Sequence, residues 1–355
     1  MSKFWLGGGH HSSELYDEII SLRNLFLAWS EFKKKGKLKK EDIAIFAADL
    51  EENIFKLHEE LKLINYHHSG YNKFVICDPK RRIIHKACVK DRLLHHAIFR
   101  VLYPLFDKTF IFDSYSSREN KGIHKAILRF KRFSRKVSRN NTKTIYILKC
   151  DIRKFFDNVD HKILFRLLKG KIKDRKVLHL LWNIIGSFET EIGKGIPLGN
   201  LTSQLSSNVY LNNFDHYVKR TLRVKYYARY SDDFVILSDD KDYLDNLLPT
   251  LRDFLEKKLL LLLHPNKISI RKWHQGIDFL GFVSYPSYEI LRTKTRRRIF
   301  KKIESKKTDF NNGVITENKL KQTVQSFKGI LKHCKGLKIK RRIKEIAGLR
   351  FYKSK

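Results

Sequence analysis

Long apolar runs are missing from this 355-residue chain. No stretch approaches the roughly 20 residues that a membrane-spanning helix needs. The opening MSKFWLGGGHHSSELYDEII lacks the apolar segment of a secretion signal. Cysteine is scarce too: Cys77, Cys88, Cys150 and Cys334 are scattered without a CxxC pair, which argues against a zinc site or a disulfide frame. Free thiols of a cytoplasmic protein are the expectation. Acidic residues are outnumbered, 37 Asp and Glu against 74 Lys and Arg, for a net charge of +37. Such a surplus implies a polyanionic partner, nucleic acid first. An anionic membrane surface would call for an amphipathic basic helix or a lipidation signal, and neither is evident, so no membrane partner is expected. No internal repeat is visible, which sets aside the solenoid folds.

What is present suits a folded protein. Hydrophobic residues make up 42% and aromatics 12%, too much for wholesale disorder. The length suits two or three modules. From about Ser13 to Lys62, Leu22, Leu25, Phe26, Trp29 and Phe32 recur at helical spacing, followed by ADLEENIFKLHEELKLI. YNKFVICDPKRRIIHKA predicts a hairpin turning at Asp78-Pro79, and DRLLHHAIFRVLYPLF an apolar helix. TIYILKC is β-rich and ends at Asp151; Asp160 is placed to cap the helix HKILFRLLKG. GKGIPLGNLTSQ is a Gly-containing loop entering a further helix. KYYARYSDDFVILSD reads as a tight hairpin around Ser231-Asp232. KISIRKW and IDFLGFVSY predict a pair of strands. The tail from Leu291 to Lys355 carries 22 Lys and Arg against 4 Asp and Glu, about half of the chain's excess charge. The class is α+β.

Two features carry chemistry. Asp151 ends an apolar strand, which exposes a carboxylate on a rigid backbone. Tyr230-Ser231-Asp232-Asp233 places two adjacent carboxylates at a hairpin tip, where they repel unless a cation lies between them. Together the three acids are suited to two divalent ions, with Mg²⁺ favoured by its preference for a few carboxylates plus substrate phosphates. Each feature alone is commonplace, since tight turns rich in Asp and capping Asp residues abound. Their order and spacing carry the weight.

DIRKFFDNVDH, GIPLGNLTSQ, YSDD, HPNKISI and GIDFLGF resemble the successive palm motifs of reverse transcriptases. DPKRRIIHKACVKDRLLHHAIF and SYSSRENKGIHKA resemble their fingers motifs, and SFKGILKHC the start of the thumb. The resemblance covers about residues 70 to 335 and lies nearest the bacterial and phage enzymes of diversity-generating retroelements. It implies a right-hand polymerase: a helical extension over 1–65, interleaved fingers and palm over 66–290 (palm motifs at 144–161, 195–211, 225–238 and 264–285), and a basic helical thumb over 291–355.

The resemblance also implies roles. Asp151, Asp232 and Asp233 would be catalytic and hold two Mg²⁺ ions, replaceable by Mn²⁺, with the Ile152 carbonyl as a further ligand. Phe156 would exclude the ribonucleotide 2′-hydroxyl, although Phe155 and Phe156 are also candidates for core. Lys80 and Arg82 would grip the dNTP triphosphate, a task suited to cationic donors; a solvated basic turn is the plainer reading. Lys267 would protonate the pyrophosphate, or be a surface lysine. Leu198 and Gly199 stand where many relatives have Gln-Gly, and the loop ends in Ser203-Gln204 where they have Ser-Pro. Leu198 would lie against the nascent base pair without a hydrogen bond to offer, a recipe for poor discrimination. Gln204, Tyr230, Phe279, Leu280 and Gly281 would touch template or primer. Ser117 and Ile123 depart from the family's Cys-Arg and Gly-Thr-His runs, which bears on template contact.

The implied partners are template RNA, the primer–cDNA duplex, dNTPs and a small basic ring-forming accessory protein of the same element. The expected outcome is error-prone cDNA synthesis, worst at template adenines. A domesticated or antiviral reverse transcriptase is the alternative within enzymes. An RNA-binding scaffold on a polymerase fold is the alternative outside them. An intron maturase is disfavoured because little chain follows the thumb.

Overall fold

The computed structural model describes residues 14–34, 36–77 and 81–348. The N-terminal periodicity folds into four helices, α1 (Glu14–Ile20), α2 (Leu22–Phe32), α3 (Glu41–Ala48) and α4 (Leu50–Lys62). Ser21 separates the first two: its hydroxyl accepts from the Asn24 N–H at 3.2 Å and caps α2. Leu25, Ala28, Trp29 and Phe32 form the buried stripe of α2, which packs on α5 (Val89–Asp107). These helices belong to the same core as the central sheet.

β1 (Tyr71–Ile76) and β2 (Arg82–Ala87) make the expected hairpin, in register from Tyr71 opposite Ala87 to Ile76 opposite Arg82. The Asp78-Pro79 turn and Lys80 lie outside the described residues. The basic helix α6 (Ile123–Val137) follows α5.

The central sheet is antiparallel, in the order β4 (Tyr227–Tyr230), β5 (Asp233–Ser238), β3 (Tyr146–Asp151), β6 (Ser269–Lys272). β3 and β5 are inner strands, and both faces are covered. Side chains alternate between faces. Leu148 and Cys150 of β3 and Phe234 and Ile236 of β5 join the core shared with α9 (Leu201–His216) and α10 (Lys241–Leu259). Ile147, Val235 and Leu237 point the other way, toward Phe130 and Phe133 of α6. Asp160 caps α7 (His161–Lys171) by accepting from the Ile163 N–H at 2.8 Å.

IDFLGFVSY is not one strand. Leu280 and Gly281 adopt φ of +53° and +88° and reverse the chain between β7 (Ile277–Phe279) and β8 (Phe282–Ser284), which pairs with β9 (Glu289–Leu291). α8 (Arg175–Gly186) is also additional. Asp174 caps it, accepting from Lys176 and Val177 N–H at 2.9 and 3.2 Å. The basic tail forms α11 (Thr293–Asn311), α12 (Glu317–Leu331) and α13 (Leu337–Ala347) around Ile299, Ile303, Val324, Leu331 and Ile343. Ile127 of α6 and Phe282 of β8 join that cluster, so the tail is docked on the rest.

Candidate active site

The alternation that buries Leu148 and Cys150 leaves Lys149 and Asp151 on the opposite face of β3. Asp233 shares that face, since Phe234 is buried beneath it. The register sets Asp151 directly opposite Asp233. Ser231 and Asp232 connect β4 to β5, with Ser231 at φ +55°, and the Ile152 N–H donates to the Asp232 carbonyl at 3.1 Å. The Asp151 carbonyl accepts from the His264 N–H at 2.8 Å. Both carboxylate-bearing segments are therefore fixed by backbone bonds, and three acids converge on one edge.

Their electrostatics are strained. Burial pushes the Asp233 carboxyl up to about 6, with Asp232 and Asp151 adding to the shift and Lys149 opposing it. Asp232 is raised by burial and then by Asp151. Lys267, carried on the short turn Pro265–Lys267, donates to Asp151 Oδ1 at 2.7 Å. Among the described residues no three His, Cys, Asp or Glu side chains are already gathered as a metal cage. The trio is instead an open set of hard oxygen donors, partly answered by the ammonium groups of Lys149 and Lys267. That suits a divalent ion bound by one or two carboxylates together with water and substrate phosphates, which does not require a preformed cage.

Behind the tip lies a support that sequence reasoning missed. Arg229 of β4 and Asp215 of α9 form an ion pair with both side chains fully buried, at 2.6 Å and 2.7 Å. Arg229 also donates to the Ser231 carbonyl at 3.0 Å, bracing the turn that carries Asp232. The Tyr227 hydroxyl donates to Asp215 at 2.6 Å, and Arg229 donates to the Ser114 hydroxyl at 3.2 Å. The available signal was an Arg at a position alternating with Ala228, in a strand otherwise bound for the core.

The other predicted residues fall into groups. Phe155 is buried, and Phe156 is half-buried beside it, with ring centroids 5.4 Å apart. The Leu198 carbonyl accepts from the His85 N–H of β2 at 3.2 Å, which joins the GIPLGN loop to the hairpin. Gly199 sits at φ +113°, and a Cβ there would meet Ile84 Cγ2 at 2.9 Å, so this contact requires glycine. Gln204 is exposed on the first turn of α9, and Tyr230 is half-buried against the second core. Arg82, Leu280 and Gly281 line a cleft of about 1140 Å³ with Arg297 and Lys301 of α11. Phe279 turns inward instead, 1% exposed and packed 5.7 Å from the Phe130 ring, so its side chain shapes the β7–β8 turn from within the core.

An antiparallel sheet presenting acids at one strand end and one hairpin tip, flanked by a β-hairpin and a basic helical bundle, defines a right-hand polymerase of mixed helix and sheet. Residues 76–284 match the family model described as reverse transcriptase (RNA-dependent DNA polymerase), and the chain belongs to that family. It is 26% identical over 255 residues to Protein YkfC of Escherichia coli (strain K12), covering 61% of this chain and 65% of that protein. It is 26% identical over 185 residues to the group II intron-encoded protein LtrA of Lactococcus lactis subsp. cremoris, 50% of this chain and 30% of that one. A putative COX1/OXI3 intron 2 protein of Saccharomyces cerevisiae is 19% identical over 340 residues, 74% of this chain and 38% of that protein. The chain thus spans less than two thirds of each of these relatives. Among solved structures, telomerase from Candida albicans in complex with a fragment of telomeric RNA aligns with a TM-score of 0.47 at 12% identity, over 81% of this chain and 61% of that one. No helix among the described residues is long and apolar enough to cross a membrane.

Proposed function

We propose that the chain extends a primer with dNTPs on an RNA template, with Asp151, Asp232 and Asp233 as the catalytic acids. The observation that carries this reading is the direct opposition of Asp151 and Asp233 beside the Asp232 tip, on a surplus of positive charge, within a family of RNA-dependent DNA polymerases. Two magnesium ions, replaceable by manganese, would be held by Asp151, Asp232, Asp233 and the Ile152 carbonyl, and would supply Lewis acidity and charge neutralisation for nucleotidyl transfer. Lys267 exchanges its Asp151 partner for the pyrophosphate and delivers a proton there. Phe156 closes the space beside the sugar. Lys80 and Arg82 hold the triphosphate, and the Leu198-Gly199 loop borders the nascent pair. Gln204, Tyr230 and the Leu280-Gly281 turn border template and primer. In this reading 1–65 is an extension, 66–290 fingers and palm, and 291–355 a thumb that grips the duplex through phosphates.

The Leu198-Gly199…Ser203-Gln204 pattern supports assignment to the diversity-generating type, with adenine-directed errors and a basic accessory protein. The intron-related proteins it resembles, the group II protein LtrA among them, favour a second reading, an enzyme serving an intron. Primer extension on a defined RNA with all four dNTPs and Mg²⁺, followed by sequencing of the cDNA, separates them. The retroelement reading expects misincorporation concentrated opposite adenine and increased by the flanking element's RNA. Accurate copying contradicts that subtype, and an absence of RNA-templated product contradicts the polymerase reading.

A further inference from the structure

The opposite face of the palm carries a second groove, of about 580 Å³, that shares no residue with the carboxylate edge. It lies among α7, α9 and α10, the helices packed on the Leu148, Cys150, Phe234 and Ile236 side of the sheet. Each helix contributes one stripe at helical spacing. Ile163 and Leu167 of α7 and Leu259 of α10 supply apolar wall. Past His216 the α9 helix widens into a π turn over Tyr217–Thr221, a rare conformation often found at functional sites. That turn brings Tyr217 to Phe254 of α10, with rings stacked at 4.1 Å and 16°.

Three exposed cations from three different elements rim this aromatic floor: Arg166, Arg220 and Lys258. None of the three has an ion-pair partner among the described residues, although at least eighteen such pairs with Lys or Arg are formed elsewhere. His216 adds an unmet hydrogen-bonding group. Its Nε2 donates to the Thr109 carbonyl at 2.9 Å, which leaves Nδ1 an acceptor, buried and without a partner.

We propose that this groove binds a nucleoside phosphate, presented either as a free nucleotide or as an unpaired residue of an RNA strand. The base lies against the Tyr217–Phe254 pair, since every base offers a face for stacking. The phosphate sits among Arg166, Arg220 and Lys258, and Arg suits phosphate through its planar fork. Asn213 and Thr221, on the same stripe, supply polar contacts at the rim. The site stands apart from the polymerase reading and does not depend on it.

The test uses the full chain without divalent ion or dNTP, as wild type and as Arg166→Gln/Arg220→Gln. The probe is a hexameric oligouridylate carrying one 4-thiouridine, with UMP as competitor. Photocrosslinks are expected at Tyr217 or Phe254 and should be lost in the variant. The slope of log affinity against log salt should shrink by about 0.7, the value for one phosphate contact on a single strand. Competition by UMP identifies a free-nucleotide site, and competition by unlabelled oligomer alone identifies a strand site; either supports the proposal. Crosslinks confined to other surfaces, or a slope change without a crosslink in the groove, overturn it. Primer extension by the variant should match wild type, so failure here is distinguishable from failure of the polymerase assignment.

Discussion

Two clusters of charge share the same hairpin and are built in opposite ways. Arg229 and Asp215 lie inside the palm, each charge answered by a partner, with Tyr227 and Ser114 completing the set. Asp151, Asp232 and Asp233 lie at the edge, with two lysines, Lys149 and Lys267, for three acids and two carboxyls held above their ordinary range. The closed cluster fixes a backbone. The open one leaves its electrostatics to be completed by something that binds. A buried charge pair is costly to assemble, and its use here is positional: it holds the Ser231 carbonyl, and through it the turn.

The comparison can be broken most forcefully from the closed side. Arg229→Ala strands Asp215 in the core and should cost about 3–5 kcal/mol in urea unfolding. Arg229→Leu/Asp215→Leu should recover much of that stability, because neither charge remains, while incorporation stays low because the turn has lost its brace. Full activity in the double variant would make the pair merely structural.

A second buried cluster, in which His95 Nδ1 has no partner among the described residues, extends the contrast. His68 and His95 pack with Asp91 beside the β1–β2 hairpin, with His68 Nε2 and His95 Nε2 3.3 Å apart, and the Tyr66 hydroxyl and Ser69 N–H donate to Asp91. Burial and then His68 push His95 down to about 3, and burial with Lys37 and Arg100 pushes the neighbouring His96 down to about 4. These groups take up protons in the unfolded chain near 6.5 but not in the folded one. Stability should therefore be full above that pH and fall as pH drops from about 6.5 toward 4. Melting temperatures across that range check this, and His95→Gln should flatten the profile.

For the residues that the proposed function sets beside the incoming nucleotide, the expected effects are changes in selectivity. Phe156→Ala should raise rNTP use relative to dNTP use on one primer. An unchanged ratio would leave Phe156 as packing alone. Leu198→Gln is the smallest change: one discriminating hydrogen bond is worth about 1 kcal/mol, roughly fivefold in error ratio. Sequencing many cDNA copies should show fewer errors opposite adenine. An active variant with unaltered errors would remove Leu198 from the explanation.

Much of this was legible in the sequence because it is local. The strand ending at Asp151, the cap at Asp160 and the Ser231-Asp232 turn all follow from periodicity and turn chemistry over a few residues. Asp174 followed by Val177, Leu180, Leu181 and Ile184 carries the same local signal for α8, a cap and an apolar stripe at helical spacing. What stayed hidden depends on contacts between distant segments. Asp215 meets Arg229 only when α9 packs on the sheet, and Gly199 meets Ile84 only when the loop docks on β2. The resemblance implies a template or primer contact at Phe279, and only packing against Phe130 of α6 shows that its ring faces the core.

The open cluster's role rests most directly on single-turnover incorporation of one dNTP into an RNA-templated primer in Mg²⁺, comparing wild type with Asp232→Asn at matched template–primer occupancy. The account predicts that the variant binds template–primer as wild type does and incorporates nothing. Incorporation at the wild-type rate by Asp232→Asn would contradict it.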